Sequence, residues 1–272
     1  MTKAEALLRR DKLVLVCCLV LLCLLSWYYL LMGAGTGMST QAMTTWEFPL
    51  PIYPAMGQGG WPLSYWLIML LMWWVMMIAM MVPSAAPMIL LYARVYRHNQ
   101  PAGDSDAIIP TANFLFGYLL SWLGFSLVAT VLQWLMEQLG LVHSMMMWSS
   151  SYWLSAALLF AAGIYQLSPL KSVCLDHCRS PAGYLSANWR KGRAGAFQLG
   201  LRHGAYCLGC CWFLMLLLFV GGAMNLVWIA GLTLLVLLEK LLPAGAWIAR
   251  VSGLVMLIGS ALLLWQAVTA AG

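Results

Sequence analysis

The chain has 272 residues, 63% of them apolar and only 8% charged, with a formal net charge of +6. Soluble domains carry about 25% charged residues, so too little charge is present to cover a water-facing surface, and a soluble globular enzyme is excluded. The composition fits one integral membrane domain over 1–272, folded as an all-α polytopic bundle.

A span needs about 20 mostly apolar residues to cross about 30 Å of hydrocarbon. Cut on that basis, the sequence predicts seven spans: Leu13–Met32, Pro62–Tyr92, Ile108–Gln138, Ser150–Ser168, Phe197–Val220, Met224–Leu242 and Trp247–Val268. The first is preceded by a basic stretch, so a cleaved signal peptide is its alternative reading. Against that, the run continues through Trp27, Tyr28 and Tyr29, and Gly33-Ala34-Gly35 is not a clean cleavage site. The loop from Gly33 to Trp61 carries Trp46, Phe48, Pro49, Pro51, Tyr53 and Pro54 and is expected on the membrane interface. The second and third runs exceed a straight span and should tilt or extend beyond the hydrocarbon. Gly221-Gly222-Ala223 makes a tight turn between the fifth and sixth runs, and Asn225 is placed to cap the sixth. With the N-terminus inside, every one of the 14 Lys and Arg residues falls on the inner side. The positive charge is therefore a topology signal for the inner membrane, and nucleic acid is not an expected partner because no basic, aromatic-rich reading surface exists.

None of the eight cysteines lies in an external loop, which disfavours structural disulfides and points to metal ligation or thiol redox chemistry. Cys17, Cys18 and Cys23 lie in the first run, and Cys17 and Cys18 read as packing. The sharpest motif is His203-x-x-x-Cys207-x-x-Cys210-Cys211. On a helix these four side chains fall within an arc of about 100°, so one face presents an imidazole and three thiols. Such donors suit Cu(I), with zinc or iron as alternatives, and suit Mg or Ca poorly. A single buried cysteine is more simply a small hydrophobe; three with a histidine on one face are not.

A second cluster, Cys174-Leu175-Asp176-His177-Cys178, is expected in an inner loop framed by Pro169 and Pro181. It is no standard zinc finger, since no paired C-x-x-C recurs, yet Cys174, His177 and Cys178 sit on the same inner side as the fifth run and could meet it. The second run supplies Met69, Met72, Met76, Met77, Met80, Met81 and Met88. Thioethers favour Cu(I), although methionine is also an adaptable gap-filler. Met80 and Met81 are the best candidates, because they precede Pro83 and Pro87, which kink the helix and free carbonyls. Glu137, His143 and Met145 could form a weak second site at the outer end, with interfacial solvation as the simpler account. Glu239 and Lys240 are expected to pair with each other or with Arg250, or Glu239 to neutralise a metal.

The segments Met76-Met77-x-Ala79-Met80-Met81-x-Pro83-Ser84-Ala85-Ala86-Pro87-Met88, Tyr165-Gln166-Leu167-Ser168-Pro169-Leu170-Lys171-x-x-Cys174-x-x-His177-Cys178-Arg179-Ser180-Pro181 and His203-Gly204-x-Tyr206-Cys207-x-Gly209-Cys210-Cys211-Trp212 together resemble a prokaryotic family described as predicted metal-binding integral membrane proteins. The resemblance spans roughly 63–243, between the first span at 13–32 and the last at 247–268. It implies a bacterial inner-membrane protein with a metal centre and leaves the metal and its chemistry open. The reading is a copper-binding membrane protein that carries the ion or delivers it to a partner metalloprotein or metallochaperone. The alternatives are a metal-dependent membrane oxidase or monooxygenase, which would need more imidazole than four histidines supply, and a thiol-redox relay built on Cys210-Cys211. Uptake of a toxic metal is a variant of the first.

Overall fold

Backbone amides in a chain this apolar have little water to bond to, so helices, which satisfy them internally, are the economical solution. The computed structural model describes residues 3–50, 60–99, 107–190 and 192–271. Pro51, Tyr53 and Pro54 of the expected interfacial loop, and Lys191, lie outside the described residues. The helices are α1 Lys3–Leu31, α2 Leu63–His98, α3 Ile108–Gln138, α4 Tyr152–Leu167, α5 Pro169–Arg179, α6 Pro181–Asn188, α7 Gly192–Leu216, α8 Leu218–Gly221, α9 Leu226–Leu241 and α10 Gly245–Ala271. Among the described residues no strand forms, and the extended pairing is an isolated bridge between Val142 and Ser149.

Among the described residues, five helical segments are long and apolar enough to cross a membrane: Lys12–Leu31, Leu63–His98, Ile108–Gln138, Gly192–Gly221 and Gly245–Thr269. Counting α4 and α5 as one span, bent by 64°, makes six. The sequence predicts seven. The shortfall comes from α4 and α9, each of 16 residues, which rise only about 24 Å. The Gly222 turn, at φ 93°, delays the start of α9. Asn225 then caps it as expected, accepting from the Val227 amide at 3.1 Å, while its own amide donates to the Thr45 carbonyl at 3.1 Å.

The segment expected as a loop around Pro169 and Pro181 is helical instead. In each case the proline occupies the first helical turn, where its missing N–H costs nothing and its fixed φ is already helical; Ser168 supplies the cap, accepting from the Lys171 amide at 3.3 Å. The two prolines therefore start α5 and α6 rather than frame a loop.

Small residues set the closest helix approaches, as is usual where lipid-like surroundings give helices no hydrophobic reason to associate. A Cβ built at Gly200 of α7 would stand 1.9 Å from the Phe114 carbonyl oxygen of α3, and one at Gly117 of α3 would stand 2.3 Å from that of Phe197. One turn on, Gly204 faces Ser121, whose hydroxyl donates to the Leu201 carbonyl at 2.9 Å. Gly163 of α4 and Gly253 of α10 meet in the same way. The outward faces of α1 and α10 expose Leu21, Leu24, Leu254, Ile258, Leu262 and Trp265.

Gly200→Leu should therefore lower the thermal unfolding midpoint in detergent sharply, since overpacking a tight contact costs about 1–3 kcal/mol and here the obstacle is backbone. Gly124→Leu, where a side chain would meet open space, should leave the midpoint nearly unchanged.

Candidate metal centre

The face of α7 read from the sequence is buried: His203, Cys207, Cys210 and Cys211 are all shielded from solvent. Cys207 lies at its middle. Lys240 of α9 donates from Nζ to Cys207 Sγ at 2.9 Å, and the Tyr118 hydroxyl of α3 is 3.1 Å from the same sulfur. Cys178, carried on α5, lies close to both Cys207 and Cys210. From α2, Met81 brings its Sδ to 3.9 Å from Cys211 Sγ. Five helices thus converge on one group of sulfurs.

Cys210 and Cys211 turn their thiols back along their own helix and donate to the Cys207 carbonyl at 3.1 and 2.9 Å. In this arrangement no three His, Cys, Asp or Glu side chains among the described residues are disposed around a common point as a metal site.

The other expected ligands divide. Cys174, one turn before Cys178 on α5, rests its sulfur against α7, 3.0 Å from where a Cβ at Gly209 would stand. The two cysteine clusters therefore adjoin. His177 goes elsewhere: its ring stacks on Tyr206 at 4.3 Å and 6°, and its Nδ1 bonds the Val173 carbonyl of its own helix at 2.8 Å. His203 sits among the rings of Phe114, Tyr118 and Tyr184, with centroids 5.7–6.0 Å away, and its Nδ1 has no hydrogen-bond partner. Burial on α6 pushes the Tyr184 phenol up to about 12. Met80 is fully buried in α2, about 100° around the helix from Met81.

The weak second set is engaged by protein groups. Glu137 accepts from Gln133 Nε2 at 2.9 Å and Trp61 Nε1 at 3.1 Å. His143 Nδ1 accepts from the backbone amides of Met145 and Met146, at 3.3 and 3.1 Å, folding the turn beyond α3. Burial also lowers the proton affinity of that imidazole. Met145 is exposed.

Sequence reasoning missed the ionic frame. Glu239 pairs neither with Lys240 nor with Arg250; its Oε2 takes Lys171 Nζ at 2.6 Å, with both side chains fully buried. Its Oε1 accepts from Gln166 Nε2 at 2.8 Å, and Gln166 Nε2 also reaches Ser252 Oγ at 2.8 Å. Residues adjacent in a helix do not face each other, so Glu239 turns to α5 while Lys240 turns to Cys207. Lys171 and Lys240, counted among the charges flanking the membrane, are thus buried. The available signal was an ionisable residue at the edge of an apolar run, which needs a partner.

Residues 70–263 match the family described as PpoB2, copper chaperone. No curated protein and no solved structure matches the chain significantly.

Breaking the buried Lys171–Glu239 pair from one side, as in Glu239→Gln, should destabilise the folded state by about 3–5 kcal/mol, because the remaining charge is left uncompensated. The double variant Lys171→Met/Glu239→Leu should recover most of that loss, and a double-mutant cycle on unfolding in detergent measures both.

Proposed function

Because the chain belongs to the PpoB2 copper-chaperone family, we propose that it holds Cu(I) as cargo inside a bacterial inner membrane and hands it to a partner metalloprotein or metallochaperone. In this reading the N-terminus is cytoplasmic and the short helices α4 and α9 complete a seven-span bundle. The observation that carries the proposal is the convergence of Cys178, Cys207, Cys210, Cys211 and Met81 from three helices beside the buried Lys240.

Thiolates and thioethers prefer Cu(I) to harder ions. Two thiolates on Cu(I) leave one net negative charge, and burying it uncompensated would be prohibitive. Lys240, at 2.9 Å from Cys207, supplies the balancing charge without being a ligand. To bind, Cys210 and Cys211 must give up the hydrogen bonds they make to the Cys207 carbonyl and release their thiol protons to solvent, so loading exchanges weak S–H···O hydrogen bonds for Cu–S bonds. Cys174, partly exposed on α5 and adjoining the buried set, offers the next sulfur outward. A labile ion passed between sulfurs suits delivery. His203 is a further donor to the same centre, and His177 and Met80 flank it. Zinc or iron in place of copper is the alternative for the metal. An oxidase has less support, since the chain has four histidines and only His203 lies at the sulfurs.

Protein purified under reducing, oxygen-free conditions should take up near-stoichiometric Cu(I) in competition with a chromogenic chelator, and the Cys207/Cys210/Cys211→Ser variant should lose nearly all of it. Lys240→Met should keep the stoichiometry and weaken affinity about 10- to 100-fold, the range expected for partners just outside a metal's ligands. Wild-type protein that binds no transition metal, or a triple variant that binds as well as wild type, would sink the proposal.

A further inference from the structure

The thiol centre occupies one end of the buried sulfur in this molecule. On α2, Met69, Met72, Met76, Met77, Met80 and Met81 all have no solvent exposure. Met69, Met72, Met76 and Met80 keep the three- and four-residue spacing that places successive side chains about 5–6 Å apart on one helix face, and Met77 and Met81 continue beside them. The two ends of this column make different contacts. At one, Met81 Sδ touches Cys211. At the other, Met69 Sδ lies 3.7 Å from Gln133 Nε2, which is itself bonded to the Glu137 carboxylate at 2.9 Å. Trp61 and Trp73 hold that carboxylate–amide pair from either side, at 3.1 and 2.7 Å.

Along α3, Tyr118 at the thiol end and Glu137 at the carboxylate end are 19 positions apart, about 28 Å, close to the thickness of the hydrocarbon core. The thioether column itself, from Met69 to Met81, covers 12 positions of α2, about 18 Å, and Gln133 links its far end to the buried Glu137 carboxylate. Packing alone does not account for it. Leucine has nearly the same volume and a similar helix preference, and methionine loses more rotamer freedom when it is buried.

We propose that the α2 methionines form a relay along which Cu(I) moves between the Glu137–Gln133 end and the thiol centre, so that the protein conducts the ion across the membrane as well as holding it. The inference rests on the copper-cargo reading above. Copper stays monovalent throughout, and each step exchanges one thioether for the next, with Glu137 offsetting the charge at the far end as the thiolates do at the near one.

The test uses the full-length protein in liposomes that enclose a Cu(I) chelator, with Cu(I) supplied outside under reducing conditions, so that flux is read whichever way the protein inserts. Met72→Leu/Met76→Leu, in the middle of the column, should cut flux at least tenfold while leaving the amount of thiol-bound Cu(I), measured on the same purified protein, unchanged. That bound copper also reports that the variant is folded. Met215→Leu, a buried methionine outside α2, should leave flux as in wild type. Equal flux in the double variant, or no flux in a wild type that binds Cu(I), would overturn the relay and leave the cargo site standing. A wild type that binds no Cu(I) would overturn both.

Discussion

The arrangement around the sulfurs depends on one buried ion pair, Lys171 with Glu239 at 2.6 Å. A lysine and a glutamate are expensive to remove from water separately, and only their mutual attraction, with Gln166 on the second carboxylate oxygen, makes the burial tolerable. That requirement joins α5 to α9. Once α9 is held with Glu239 facing α5, the next residue, Lys240, is carried about 100° around the helix toward α7, where it meets Cys207. The same attachment sets α5 against α7, with Cys174 at Gly209 and Cys178 beside Cys207 and Cys210. One pair thus places both Lys240 and the second source of thiols at Cys207.

Close approach supplies the rest of the frame. Glycine at 200 and 117 lets α7 and α3 come within backbone contact, which brings Tyr118 to Cys207 and, through its hydroxyl, to the Met81 carbonyl at 3.2 Å. Ser84 bonds that carbonyl too, at 2.9 Å, next to the turn where Pro83 removes a donor from the helix. Tyr118 therefore ties α2, α3 and α7 at the level of the sulfurs. The thiols of Cys210 and Cys211, meanwhile, satisfy themselves on the Cys207 carbonyl, so both can be buried with their donors paired.

Much of this could be read from the chain. Low charge and long apolar runs determined an all-helical architecture, because only helices satisfy backbone groups in such a sequence without water. The 3.6-residue period put His203, Cys207, Cys210 and Cys211 on one face and the methionines of α2 in a column, and Asn225 declared the start of α9 by its chemistry. Proline was harder: the residue at 169 and 181 suits a loop frame and a first helical turn equally well, and only the helix-forming capacity of the residues after it separates the two. The count of spans is less legible, since apolar run length does not reveal where a turn will shorten a helix, as it does at α4 and α9, each of 16 residues.

Which charges and imidazoles face which sulfur lay beyond the sequence. Lys171 and Glu239 are 68 residues apart, and Lys240 and Cys207 are 33 apart; nothing in local spacing couples them. His177, equal to Cys178 as a soft donor on paper, stacks on Tyr206 instead, because neighbouring positions on a short helix point in different directions. The sequence by itself determined the kind of donors and the helix faces that carry them, since those depend on composition and period. Only the tertiary structure decided which donors meet and which cation balances them, because that depends on helix approach and on the pairing that buried charge demands.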